Sequence, residues 1–431
     1  MKGFSGQRLL AAATACSMAL AVGLLAISAS THWSTPVNLS QSEVFTEDAS
    51  VATDSQGRVH VVWSEGGQII HRHQLSEGWS TAMAFAAGFA PDLAADADGR
   101  LHLAFVNRFA DVDDVYYTSW SQDSGWQLPV NVSEGEERAS SPSLAVAGDG
   151  TKAMVWSSRS GNLDVIYVAV SDDGVLWSSG PVPHASGVRP KVAIVNGDLL
   201  VAWQGPYDVP GSAMEVFVSL KSNHQWTLPV DVSVSPDADS VFPSLTFGAG
   251  NAYLAWQEDV PGGPAVFMCA EDAGIWSVPQ QRSGDAAAHA PAVAVHQGSG
   301  HLAWTTGTSV QYRSWTVSSG TWQPIEDVFV EQVGARDVRL TVNGSPFLAW
   351  LAEAGISNDD VYCSIRTGQP TPTPSATSMP TPSQTLPATS TVTPTLTRTA
   401  IPSSTPTCTV TLEPSCPLFL PLIHARSAPL P

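Results

Sequence analysis

The sequence predicts an all-β chain: a seven-bladed β-propeller closed by its own N-terminal strand and followed by a disordered Pro/Thr/Ser-rich stalk. Three observations predict it. Tryptophan recurs at a nearly fixed period, and the segments between read as short strands punctuated by turn residues. The first strand-like stretch after the N-terminal apolar run, "WSTPVNLS" at 33–40, also has siblings that elsewhere close a repeat: "WQLPVNVS" at 126 and "WTLPVDVS" at 226.

One tryptophan series runs Trp33, Trp79, Trp126, Trp177, Trp226, Trp276 and Trp322, with gaps of 46, 47, 51, 49, 50 and 46 residues. A second runs Trp63, Phe105, Trp156, Trp203, Trp256, Trp304 and Trp350, which makes seven units. Within a unit, alternating or continuously apolar β-branched runs read as strands, and no helical period follows the N-terminal segment. Unit three shows the order: "PSLAVAG", a "GDG" turn, "KAMVW", a polar loop, "DVIYVAV", then "SDDG" and a fourth strand starting at Trp177. Equivalent first turns are "DSQG" at 54, "DADG" at 96 and "NG" at 196 and 343, the chemistry that tight hairpins demand.

The seventh unit stops after its third strand, "DVYCSIRTG", and the proline-rich tail follows at once. "WSTPVNLS" is therefore expected to supply the missing fourth strand and close the ring, which removes exposed sheet edges. Thirteen of the fifteen tryptophans lie in the two series and read as the packing between blades. Each contributes up to roughly 4–6 kcal/mol when buried. Trp120 and Trp315 lie outside both series and are the candidates for exposed ligand contact.

Lys2 and Arg8 precede an uncharged run from Leu9 to Ser28 that ends on small residues, the pattern of an export signal over 1–30; a retained anchor is the alternative. The propeller is expected over 31–368, a Pro/Thr/Ser-rich linker over 369–415 and a short apolar tail over 416–431. The protein is thus expected to be secreted or displayed at the cell surface, as a monomer, with membrane contact only through the signal or the tail. The tail, "CPLFLPLIHARSAPLP", is too short to span a bilayer. It resembles the "LPL" tails that follow Thr/Pro spacers in some bacterial exported proteins, which implies surface attachment. Net charge is −20, with 39 acids against 19 bases, which excludes nucleic acid as a partner. Four cysteines follow the signal, too few for a disulfide scaffold, and Cys408 and Cys416 could pair.

The loops from fourth to first strand and from second to third strand share one face of such a ring, and they make that face strongly acidic. The long inserts "NRFADVDD" and "QGPYDVPGSAME" lie there too, so a ligand is expected on that face. No obligatory cofactor is expected; calcium is the ion that Asp111, Asp113 and Asp114 would suit, through hard carboxylate oxygens. "NLS", "NVS" and "NGS" match the N-glycosylation pattern, but the first two are the repeat's own sequence.

A strand-opening Trp followed by "PV", a D-x-x-G turn and "HVVW" resembles the BNR or sialidase-like repeats of bacterial exported propellers across 33–368. "SDDGVLW" matches that family's Asp-box at Ser171, Asp173, Gly174 and Trp177, one residue short and with Leu176 where the box has threonine. The box is a structural turn in the family. The resemblance implies, for a sialidase, three arginines clamping a substrate carboxylate, an activated tyrosine nucleophile and an aspartate acid/base. Arg138, Arg189 and Arg336 are the candidates for the clamp and Tyr207 for the nucleophile, because it alone of the tyrosines falls in a loop of the right face. Arg108 and Arg159 join Trp120 and Trp315 as candidates for ligand binding. The expected function is a binding module for a carbohydrate or cell-envelope polymer. A sialidase-like glycoside hydrolase and a protein-binding or structural surface domain are the alternatives.

Overall fold

The computed structural model describes residues 32–367, apart from 136–137, 207–211, 285–286, 355–357 and the side chains of 330–333. Tyr207 and the expected signal, linker and tail thus lie outside the described residues, as do Cys408 and Cys416. The described chain is all-β and folds as a propeller of seven antiparallel units, each read from hub to rim as first to fourth strand.

Blade 1 is Thr46–Thr53, Val59–Glu65, Gln68–His73 and Met83–Ala87. Blade 2 is Phe89–Ala95, Leu101–Phe109 and Val112–Ser121, with Gly125–Trp126 and Val130–Asn131 sharing the fourth position. Blades 3, 4 and 5 begin at Ala139, Val188 and Ser240, and blade 6 at His289. One long strand, Glu326–Asn343, serves two blades: its first part pairs with Gly307–Thr316 as the rim of blade 6, and its second part pairs with Ser345–Glu353 as the hub strand of blade 7.

The ring closes as the sequence predicts. Val37 pairs with Cys363 and Asn38 with Tyr362, and Trp33 bridges Arg366. The Asp360 carboxylate fixes this register. Its Oδ1 accepts from Ser40 Oγ (2.6 Å) and the Ser42 amide (2.9 Å), and its Oδ2 accepts from Asn38. Blade 2 builds the same latch without a seam: Asp114 accepts from Asn131, Ser133 and the Gly135 amide. The triplets at 38 and 131 are therefore latch residues whose asparagines bind a carboxylate. Glu215 does the same work in blade 4, accepting from Ser233 and Ser235. Part of the acidic face is consumed by these turns.

The second-strand aromatics are the core. Trp63, Trp256, Trp304 and Trp350 are fully inaccessible, and Phe105, Trp156 and Trp203 are 1–2 % exposed. Trp63 and Trp256 satisfy their indole N–H on the acid two residues on, Glu65 at 2.8 Å and Glu258 at 3.0 Å. The fourth-strand tryptophans are half-buried, apart from Trp33, which is buried at 6 %.

Candidate ligand-binding site at the mouth of the central channel

All seven hub strands break register at the same place. At each break one non-glycine residue has a positive φ: Asp48 (47°), Ala90 (50°), Ser141 (52°), Arg189 (54°), Phe242 (56°), Ala290 (44°) and Asp337 (52°). In five blades a proline follows, Pro91, Pro142, Pro190, Pro243 and Pro291, which suits an unpaired bulge position because proline offers no N–H to the ladder. Positive φ in a residue with a Cβ costs about 1–2 kcal/mol, and such strain persists only where the surroundings over-determine it.

In four of the bulges the third residue reaches the neighbouring blade. Ser50 Oγ accepts from the Leu93 amide (3.0 Å), the Asp92 carboxylate from the Leu144 amide (2.8 Å) and Ser244 Oγ from the Val293 amide (3.1 Å). Arg339 donates to the Ala49 carbonyl at 2.9 Å, across the boundary between blades 7 and 1. The hub is thus a chain of blade-to-blade hydrogen bonds with a cavity of about 290 Å³ inside it, lined by these bulges.

The backbone of this cavity repeats but its side chains do not. Asp48, Asp92 and Asp337 face it with Arg189, Lys191 and Arg339. Burial raises the Asp48 carboxyl above its ordinary value, with Arg339 pulling back, and burial lowers the Lys191 ammonium, with Asp92 opposing. Arg189 is exposed and its guanidinium lies 4.4 Å from the centroid of the Phe242 ring. Among the described residues, no carboxylate is in ion-pair contact with Arg189, Lys191 or Arg339. Three cationic groups sharing one small polar cavity, with their positions set by strained backbone, can hold an anionic group by charge-assisted hydrogen bonds.

Of the residues singled out for the arginine clamp, Arg189 alone lines this cavity. Arg336 is ion-paired to Asp359, and Arg138 is exposed at the entry to blade 3. Arg108 forms a two-point contact with Asp113 (2.6 and 2.9 Å), and Arg159 lies 3.3 Å from Asp164. Asp111 sits in a turn with φ 65°, Asp113 holds Arg108 and Asp114 holds the latch of blade 2, so these three acids have separate tasks and form no shared ligand set.

Trp120 and Trp315 correct the expectation of exposed contacts: they are 6 % and 4 % exposed. Both occupy one repeat position, opposite the fourth-strand tryptophan, as the pairs Trp120 with Trp126 and Trp315 with Trp322 show. Trp315 has room because Gly300 faces it; a Cβ there would come within 2.0 Å of the indole. The "SDDGVLW" segment is a turn, as expected: Asp173 Oδ1 accepts from the amides of Val175 (2.7 Å) and Leu176 (2.9 Å). Apart from Arg189 the cavity residues were missed in the sequence although a signal exists, the proline shared by five hub strands in "APDL", "SPSL", "RPKV", "FPSL" and "APAV".

No family model and no curated protein sequence matches this chain. Solved structures match its fold. A virginiamycin B lyase from Staphylococcus aureus in complex with quinupristin shares 12% identity over 77% of this chain and 99% of its own, with a TM-score of 0.51. A polysaccharide lyase, an ulvan lyase bound to -[GlcA(1-4)Rha3S]-, matches at 10% identity over 78% and 94%, with a TM-score of 0.51. The GH93 alpha-L-arabinofuranosidase of Fusarium graminearum with arabinobiose matches at 14% identity over 78% and 98%, with a TM-score of 0.50. At these identities the likeness is one of fold.

Proposed function

We propose that the ring is a carbohydrate-binding module that takes a saccharide carrying a carboxylate or sulfate at the mouth of its central channel, on a protein exported and held at the cell surface by its stalk. The observation that carries the reading is the trio of Arg189, Lys191 and Arg339 facing one cavity of about 290 Å³ without a carboxylate in contact. That volume suits one sugar unit, at the lower end of small-molecule sites. Two of the propellers that share the fold hold saccharides in their structures, which supports the substrate class by analogy. Binding is favoured over hydrolysis because the arginines expected to clamp a sialic acid do not gather around Arg189.

Purified protein on a glycan array, alongside a fluorogenic sialoside, tests this. The reading expects signals confined to uronate- or sulfate-bearing glycans, abolished by Arg189→Ala, with no turnover. Binding of neutral glycans alone, or turnover of the sialoside, would overturn it.

A further inference from the structure

At the end of the blades opposite the mouth, the first hairpin turn leads into the second strand, and in blades 2 and 6 that strand carries a histidine satisfied by a tyrosine. His102 Nε2 lies 3.0 Å from Asp96 and its Nδ1 2.7 Å from the Tyr117 hydroxyl, with Ser119 opposite. His301 Nδ1 lies 2.6 Å from Tyr312, with Ser314 opposite. In blade 1 the equivalent histidine is His60, and the register His60 to His73 and Val62 to His71 puts His71 where the tyrosines stand and His73 where the serines stand. The repeat's hydroxyl partners have both become imidazoles. The three ring centroids are 5.4, 5.5 and 5.7 Å apart, and one nitrogen of each ring lies within 4.8 Å of the other two.

We propose that His60, His71 and His73 bind a transition-metal ion such as Zn(II), with Asp54 as the carboxylate partner of His60. The separation of His60 Nδ1 and His71 Nε2 is 3.1 Å. Tetrahedral coordination at about 2.0–2.1 Å sets ligand nitrogens about 3.3 Å apart. His60 Nε2 faces Asp54 Oδ2 at 3.3 Å, the outer carboxylate that orients a ligating imidazole and fixes its tautomer. Arg58, the nearest cation on the turn, is spent on the same Asp54 at 2.8 Å. His60 and His71 are buried, His73 is half-buried and gives access, and three protein ligands leave a fourth position for solvent. Trp120 packs within 5.1–6.0 Å of all three rings and supplies an apolar wall. A set made of imidazoles alone selects Zn(II), Cu(II) or Ni(II) over Ca(II) or Mg(II).

Without metal the same atoms form a directed chain. Trp126 Nε1 can only donate, to His71 Nδ1 at 3.3 Å, and the Asp54 carboxylate can only accept. The proton of His71 therefore sits on Nε2 and is donated to His60 Nδ1. Metal binding moves that proton to Nδ1, frees the Nε2 lone pair and gives up the long Trp126 bond, so Trp126 opposes the metal.

The proposal stands apart from the saccharide reading and is tested on the EDTA-stripped full chain by calorimetric titration with Zn(II) and by the visible absorption of bound Co(II). The expected result is one equivalent bound with tetrahedral Co(II) bands. His71→Tyr and His73→Ser install what blades 2 and 6 carry, so the metal-free fold should persist while affinity falls at least about tenfold. Trp126→Phe should tighten binding. Zn(II) should raise the melting temperature of the wild type and leave that of His71→Tyr unmoved. Absence of binding by the wild type, showing a hydrogen-bond chain only, would overturn the proposal, as would undiminished binding in both variants.

Discussion

Blades 1 and 2 carry almost the same turn, "DSQGRVH" and "DADGRLH", and a buried aromatic three residues later, Trp63 or Phe105, yet one ends on a triad of imidazoles and the other on a histidine, a tyrosine and a serine. The backbone is indifferent to the change, since the register of second against third strand is the same in both. A repeat makes such departures readable: where sister blades satisfy a group one way, a blade that does otherwise has a reason in its own side chains. The mouth of the channel follows the same rule, with one bulge seven times and five residue types on it.

The comparison can be broken most forcibly in the core the two blades share. Trp63→Ala in blade 1 and Phe105→Ala in blade 2 should each destabilise by about 3–5 kcal/mol, read by chemical denaturation, because both side chains are sealed between sheets. A cost below about 1 kcal/mol in either would mean that the blades do not share one packing plan.

The latch is the next largest effect. Asp114→Ala and Asp360→Ala each strand three donors, at about 1–3 kcal/mol. Only Asp360 lies at the seam, so its loss should also open the edge of blade 7, and amide exchange at Val37 and Val361 should rise above that at Val115. Equal exchange in the two variants would show that the seam is no weaker than an ordinary blade.

Acid sharpens the contrast between blades with and without the buried histidine. Desolvation holds His60 and His301 down to about 4, and His102 is lowered for the same first reason. Between the ordinary value of 6.5 and about 4 the unfolded chain binds protons that the folded chain refuses, so stability is complete above 6.5 and drains as pH falls through that window. His60 and His301 each account for up to about 3 kcal/mol. Amide exchange in blades 1, 2 and 6 should therefore accelerate in acid before that of blade 3, which has Ala153 at this position. Uniform acceleration around the ring would contradict the assignment.

The smallest effect is on stability at the mouth. Arg189→Ala removes an exposed guanidinium stacked on Phe242 and should change the melting temperature by about 2 °C or less. A larger loss would mark Arg189 as a structural residue.

The ring, its closure by Trp33 to Ser40 and the packing role of the periodic aromatics were legible in the sequence because period and turn chemistry are local signals. The long-range consequences were not. Trp120 and Trp315 look out of phase along the chain, but across the sheet they face Trp126 and Trp322, a relation set by strand register. Arg336 looks free until Asp359 is brought beside it from another strand of its blade. The histidine triad joins residues that are alternate along one strand, His71 and His73, to one on its neighbour, so no single stretch of sequence displays it. The bulges leave a trace in the recurring proline, and only their positive φ in all seven blades shows what the trace means.

The most direct measurement is calorimetric titration of the protein and of Arg189→Ala with a glucuronate-bearing oligosaccharide and with its carboxyl-reduced counterpart. The account predicts heat only for the acidic ligand and only with Arg189 present. Equal binding of both ligands, or binding undiminished by loss of the guanidinium, would contradict it.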